Sequence, residues 1–250
     1  MGITDFLKSQ LIEVIEWTDS SRDTLVWRFP VQGNEIKMGA ALVVREGQMA
    51  VFINEGRCAD VYVPGRYKLN TQNMPILTKI MNWHHGFNSP FKAEVYFVSS
   101  RQFTDRKWGT QNPIMMRDAD FGVVRLRAFG SYNYRVVDPK TFIQEIVGTD
   151  GHFTTEEIDG QLRRHVVSGF SDALGEAKIP ALDLAANYME LGDTIRDKIE
   201  DGFAQYGLEM PVFLIESINL PDEVTKYMDK RAAMGAIGDM GRYQQFQAAE

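Results

Sequence analysis

Between residues 82 and 139 the chain repeats one pattern. Apolar and polar side chains alternate, and turn residues interrupt the alternation. From Lys92 to Val98, residues Ala93, Val95 and Phe97 point one way, and Lys92, Glu94, Tyr96 and Val98 point the other. Period two is the mark of a half-buried strand. Val123 to Val136 is a longer version. Val124, Leu126, Ala128, Gly130, Tyr132, Tyr134 and Val136 share one face; Val123, Arg125, Arg127, Phe129, Ser131, Asn133 and Arg135 share the other. The spacing predicts a long antiparallel strand, apolar on one side and wet or ion-paired on the other. Arg125 and Arg127 could bind phosphate, but cross-strand pairing with Asp or Glu explains them more cheaply. Gly130 is expected at a bulge or bend. Trp108-Gly109-Thr110 and Asn112-Pro113-Ile114 read as turns.

Shorter strands are expected upstream, at residues 24–29, 42–45, 48–53, 60–63 and 66–70. Glu46-Gly47, Asn54-Glu55-Gly56 and Pro64-Gly65 separate four of them. Segments this close are expected to pair mostly as antiparallel neighbours. After Asp138-Pro139, residues 140–147 fit a short capped helix that ends at Gly148. The period then becomes helical. Thr154 and Glu157 form a capping box, and Ile158, Leu162, Val166, Phe170, Ala173 and Leu174 make a stripe. Pro180 breaks that helix. Asp183 caps a second one, which carries Leu184, Tyr188, Leu191, Ile195, Ile199 and Phe203 and stops at Gly207. Pro211 then leads into a strand over residues 212–220. Sheet, helix pair and returning strand make an α+β fold with a mostly antiparallel N-terminal sheet.

The expected division is 1–20, an N-terminal amphipathic helix; 21–150, a β-rich subdomain; 151–220, a helix-helix-strand subdomain; and 221–250, a C-terminal helix. The first helix runs over residues 4–16, with Phe6, Leu7, Leu11, Val14 and Ile15 as its apolar stripe. Its polar face is mostly acidic, which favours docking on protein over lipid insertion. The last helix places Met228, Ala232, Gly235, Gly238 and Gly241 at three- to four-residue intervals. Its glycines cost helix stability, so it is either a flexible exit or a self-association surface.

Three phrases carry a resemblance: SPFKAEVYFV, KWGTQNPIMMRD and VRLRAFGSYNYRVVDP. With Gly47 to Phe52, Asn54 to Gly56 and Asp60 to Pro75, they resemble the SPFH/Band 7 superfamily of stomatin-, prohibitin- and flotillin-like proteins. More narrowly, they look like its bacterial "virion core protein-like" branch, linked to membrane-stress responses of the phage-shock type. The resemblance implies an SPFH domain and a non-catalytic, membrane-associated scaffold that forms homo-oligomers. It implies integral membrane partners and phage-shock-type effectors, on the inner face of the cell membrane from the cytoplasmic side. Related proteins continue through a glycine-rich linker to a zinc ribbon. With one cysteine, this chain is expected to stop short of it, so zinc belongs to that missing ribbon and no cofactor to this chain.

The residues themselves point to no reaction. Net charge is −7, which disfavours nucleic acid and bare anionic lipid as partners because such binding needs a basic face. Cys58 is the single cysteine, so no internal disulfide forms, and it reads as a small buried side chain. No apolar run is long enough to span a bilayer. Nucleophile elbow, Walker loop, zinc-protease and dinucleotide signatures are absent, and no catalytic, cofactor-binding or metal residue is assigned. His84 and His85 point apart in an extended chain, and His152 and His165 stand alone. Glu156 and Glu157 suit a helix N-terminus; Asp118 and Asp120 read as a turn. The alternative to a scaffold is a hydrolase with an unrecognised site in the aromatic loop bounded by Trp83 and Pro90, near His84, Asp105 and Trp108.

Overall fold

The computed structural model describes residues 14–31, 35–36, 39–70, 74–76, 91–119, 121–177, 180–181, 183–184, 188–222, 224–227 and 229. Its elements, in chain order, are β1 (Val14–Glu16), β2 (Thr24–Arg28), β3 (Glu35–Ile36), β4 (Ala41–Val44), β5 (Gln48–Asn54), β6 (Arg57–Tyr62) and β7 (Gly65–Lys68). Next come β8 (Phe91–Lys92), β9 (Glu94–Ser99), β10 (Phe103–Gly109), β11 (Ile114–Asp118) and β12 (Gly122–Val136). Then follow α1 (Pro139–Phe142), continued by a wider π turn (Ile143–Val147), β13 (His152–Thr154), α2 (Thr155–Ala177), α3 (Tyr188–Ala204) and β14 (Leu208–Asn219). Residues 222, 224–227 and 229 are helical. The fold is α+β, with mostly antiparallel strand pairs.

Contacts divide the chain into two compact units. The first draws on Met1–Thr104, Asn133–Leu162 and Glu200–Pro211; the second on Asp105–Tyr132, Arg163–Ile199 and Val212–Glu250. Neither is a contiguous stretch, unlike the segments 21–150 and 151–220.

In the first unit, β13-β2-β9-β5-β6 form a five-stranded sheet and β1-β4-β7 a three-stranded one. Both feed one core, in which Ile15 and Leu42 of the small sheet join Phe52, Val95 and Phe97 of the large one, all 0% exposed. Trp17 stacks on Trp27 with ring centroids 6.1 Å apart. Central strand β9 departs from the half-buried expectation. Tyr96 and Val98 are as buried as Val95 and Phe97, since β9 is flanked by β2 and β5. Neighbours in sequence do not always pair, either. β4 joins β7 and β1, and β5 joins β9 and β6; β1 runs parallel to β4, with Ile15 opposite Leu42.

The helix expected over residues 4–16 is corrected at its end, where Val14–Glu16 is strand β1. Ile15 and Trp17 are buried while Val14 is exposed, an alternation that pairing with β4 rewards and a helix would scramble. Residues 4–13 lie outside the described residues.

Local signals hold where their chemistry is local. Asp138 caps α1, its Oδ1 accepting from the backbone N–H of Lys140 at 3.0 Å and of Thr141 at 3.2 Å. Gly148 ends that turn at φ +62°. At the head of α2 the Glu157 carboxylate accepts from the Thr154 backbone N–H at 2.8 Å and from its hydroxyl at 3.1 Å, and the stripe from Ile158 to Leu174 is buried.

The second unit is built on a four-stranded sheet in which β12 pairs with β10, β11 and β14. Trp108 is part of β10, not of a turn. It is 3% exposed, lies 4.8 Å from the Phe170 ring and stacks on Phe213 at 5.0 Å. Its Nε1–H donates to the Leu214 carbonyl at 3.1 Å. Gly130 lies within β12. Glycine is required there because a Cβ would lie 2.0 Å from the Leu214 carbonyl oxygen. Strand β14 begins before Pro211 and contains it. Pro211 lacks only an N–H, which a strand paired on one side can spare.

Candidate functional site

The aromatic loop bounded by Trp83 and Pro90, with His84 and His85, lies outside the described residues. Asp105 and Trp108, the other members of that candidate, do different jobs. Trp108 is structural. Asp105 is exposed and accepts from Lys107 Nζ at 2.8 Å; the same ammonium reaches Glu216 at 3.0 Å. The hydrogen bond to Asp105, then that to Glu216, raises the Lys107 pKa. The bond from Lys107, with one from Ser131, lowers that of Glu216. Lys107 and Glu216 therefore stay charged at neutral pH, as members of an exposed ion network.

Cys58 is half-buried on β6. Burial pushes its thiol above the ordinary value; Lys140 opposes this and Asp138 adds to it. The thiol form therefore dominates at neutral pH, the opposite of an activated nucleophile. His152 lies 3.4 Å from the Thr24 hydroxyl, and His165 lies on α2. Among the described residues no three His, Cys, Asp or Glu side chains gather as a metal ion requires. Asp118 is buried and satisfied. Its Oδ1 accepts from the Phe121 N–H at 2.9 Å and its Oδ2 from the Ala181 N–H at 2.6 Å.

One cleft of about 320 Å³ opens in the first unit, beside Trp17, Arg45 and Arg101. Its cations are already spoken for. Arg45 pairs with Glu16 at 2.8 Å and Arg101 with Asp19 at 3.6 Å. Arg101 also donates to the Ser21 carbonyl at 3.0 Å, and Gln48 Nε2 to the Trp17 carbonyl at 3.1 Å. These bonds fasten β1 and its following turn to β4, β5 and β9.

The outer face of the β11–β12 hairpin is different. Register places Met115 opposite Arg125 and Arg117 opposite Val123. Alternation along β12 brings Arg127 and Phe129 to the same face. Inward neighbours Met116, Val124, Leu126 and Ala128 are all buried, which turns the other six outward. Met115 is 66% exposed, Val123 64% and Phe129 45%. Arg117, Arg125 and Arg127 are exposed, and their guanidinium groups make no ion pair or hydrogen bond with a described residue. Carboxylate partners were expected across the ladder for Arg125 and Arg127. Instead Arg125 faces a methionine, because the turn at 118–122 fixes the register. Arg135, farther along, does pair, with Glu209 at 2.7 Å. The signal for this face was present as Met115-x-Arg117 and Val123-x-Arg125-x-Arg127-x-Phe129; the pairing register was not.

Of the residues expected to meet a partner or membrane, Ile15 is 0% exposed in the core and is withdrawn from that role. Val14 is 46% exposed. Phe6, Leu7 and Leu11 lie outside the described residues, as do Met228, Ala232, Gly235, Gly238 and Gly241 of the expected self-association stripe.

Comparison with known proteins gives two results. The model of the SPFH domain–Band 7 family matches residues 26–236. "Uncharacterized protein YdjI" of Bacillus subtilis (strain 168) is 31% identical over 242 residues, covering 96% of this chain and 74% of the relative.

Proposed function

The chain belongs to the SPFH domain–Band 7 family, and from that premise we propose that it is a non-catalytic, membrane-associated scaffold. In this reading it self-associates and recruits or organises membrane-stress proteins of the phage-shock type. The observation that carries the reading is the family match over residues 26–236, which takes in most of both units. Among the described residues no helix is long and apolar enough to cross a bilayer. In this reading an integral membrane partner on the cytoplasmic face of the cell membrane anchors the scaffold. Phe6, Leu7, Leu11 and Val14 are the contact proposed at the N-terminus, and Met228, Ala232, Gly235, Gly238 and Gly241 the self-association stripe.

Two measurements test this. Light scattering of the full chain should report a multimer, and pull-down from native membranes should recover an integral partner. Deleting residues 2–12 should weaken recovery while leaving β1 in place; a longer deletion would take Ile15 out of the core. A strict monomer at high concentration that captures nothing from membranes would count decisively against the scaffold.

A further inference from the structure

We propose that the outer face of the β11–β12 hairpin is an anionic-lipid docking surface, formed by Arg117, Arg125 and Arg127 with Met115, Val123 and Phe129. This rests on the membrane-associated reading and names the part of the chain that touches the bilayer itself.

Three observations favour this occupant. The first is charge. The chain is net acidic, at −7, yet this face holds three guanidinium groups and no described carboxylate bonded to them. Asp118, the acid on β11, is buried and committed to two backbone N–H groups. A guanidinium fork suits phosphate oxygens, so the face is complementary to phosphodiester headgroups while the chain as a whole is repelled by them. Binding is thereby restricted to one orientation.

The second is the apolar content. A face kept merely soluble is normally built of mixed charges with few exposed apolar groups. Here Met115 and Val123 are about two-thirds exposed, and Phe129 nearly half. They alternate with the arginines, so that when the guanidinium groups sit at the phosphate level, the thioether, isopropyl and phenyl groups lie beside them. Cation and apolar groups then meet the headgroup layer and the edge of the acyl region together.

The third is size. Seven residues of a strand span roughly 20 Å, and two strands lie about 5 Å apart. The face is therefore a few hundred Å², well below the roughly 800 Å² per partner of a stable protein pair. It is too small to hold a second copy by itself. A bilayer has no such threshold, since each copy adds its own contact. Each arginine near an anionic surface contributes roughly a fivefold gain in affinity. One copy binds weakly and reversibly, and several copies on one scaffold bind tightly through valency.

The test is co-sedimentation of the full-length chain with vesicles of phosphatidylcholine alone or mixed with phosphatidylglycerol. We expect binding to the mixed vesicles only, weakening as salt is raised. The triple variant Arg117→Gln, Arg125→Gln, Arg127→Gln should lose about a hundredfold in affinity. Met115→Ser with Phe129→Ser should also weaken binding, while circular dichroism and the melting temperature stay close to wild type. Equal binding by the triple variant overturns the proposal. So does loss of self-association in that variant without a vesicle effect, which would make the face a contact between copies. A wild-type chain that ignores bare anionic vesicles yet is recovered with an integral partner from native membranes overturns this inference alone. Recovery with neither overturns the scaffold reading as well.

Discussion

Gly130→Ala tests how closely β12 and β14 approach. The added Cβ would lie 2.0 Å from the Leu214 carbonyl oxygen and 3.0 Å from Trp108 Nε1. Ordinary van der Waals contact needs about 3.5 Å, so the Leu214 peptide must retreat by roughly 1.5 Å. That peptide accepts the Trp108 Nε1–H at 3.1 Å, and the retreat breaks the bond in a site where Trp108 is 3% exposed. Overpacking costs about 1–3 kcal/mol, and a buried donor left without its acceptor costs a similar amount. Together they give about 3 kcal/mol. For a chain of this size that lowers the melting temperature by about 10 °C. Thermal unfolding followed by circular dichroism and tryptophan fluorescence reads the loss. Gly175→Ala is the companion variant: α2 leaves open space at that Cβ, so alanine should stabilise by about 0.5–1 kcal/mol. A Gly130→Ala protein melting within about 2 °C of wild type would refute the close approach and restore the reading of Gly130 as a bend.

Three more outcomes are expected. Glu157→Ala removes the acceptor that holds the Thr154 N–H at 2.8 Å and should cost about 1 kcal/mol in a urea melt. Asp118→Ala strands the N–H groups of Phe121 and Ala181 and should cost about 2–3 kcal/mol, read as a fall in denaturation midpoint with an unchanged slope. For Asp138, burial raises the carboxyl pKa, but hydrogen bonds from the Thr141 hydroxyl and from the backbone of Thr141 and Lys140 outweigh it. The pKa therefore stands below its ordinary 3.8. A depressed carboxylate contributes stability that is full above 3.8 and fades as pH falls through the folded value. Asp138→Ala should accordingly cost about 1 kcal/mol at neutral pH, with the gap from wild type narrowing under acid.

Legibility followed distance along the chain. The Asp138 cap, the Thr154–Glu157 box and the stripe from Ile158 to Leu174 are each set within a few residues, and each was readable. The alternation of Val123 to Val136 gave the inward set correctly as far as Val136. It could not say that Ser131, on the outward set, is buried, because what covers that end lies elsewhere in sequence. Tyr96 and Val98 misled for the same reason: whether a strand is central depends on its partners. Val14 and Ile15 fit a helical stripe with Leu11, but Ile15 and Trp17 fit a strand equally well, and only pairing with β4 decides between them. Gly130 is the clearest case. A glycine within a strand signals either a kink or a neighbour pressed close, and the neighbour, Leu214, is distant in the chain. The hairpin face was half legible. Its residues could be enumerated, but which side chains faced the arginines depended on a turn whose register the alternation does not determine.

Strands β10, β12 and β14 and helices α2 and α3 each supply residues to both units. A cut at residue 150 therefore yields two pieces, and each holds parts of both units and the whole of neither. Protease nicking, gene splitting or fragment expression cannot isolate one unit for study. The halves would have to find each other again, as in split-protein complementation, before either unit had its full set of strands and helices.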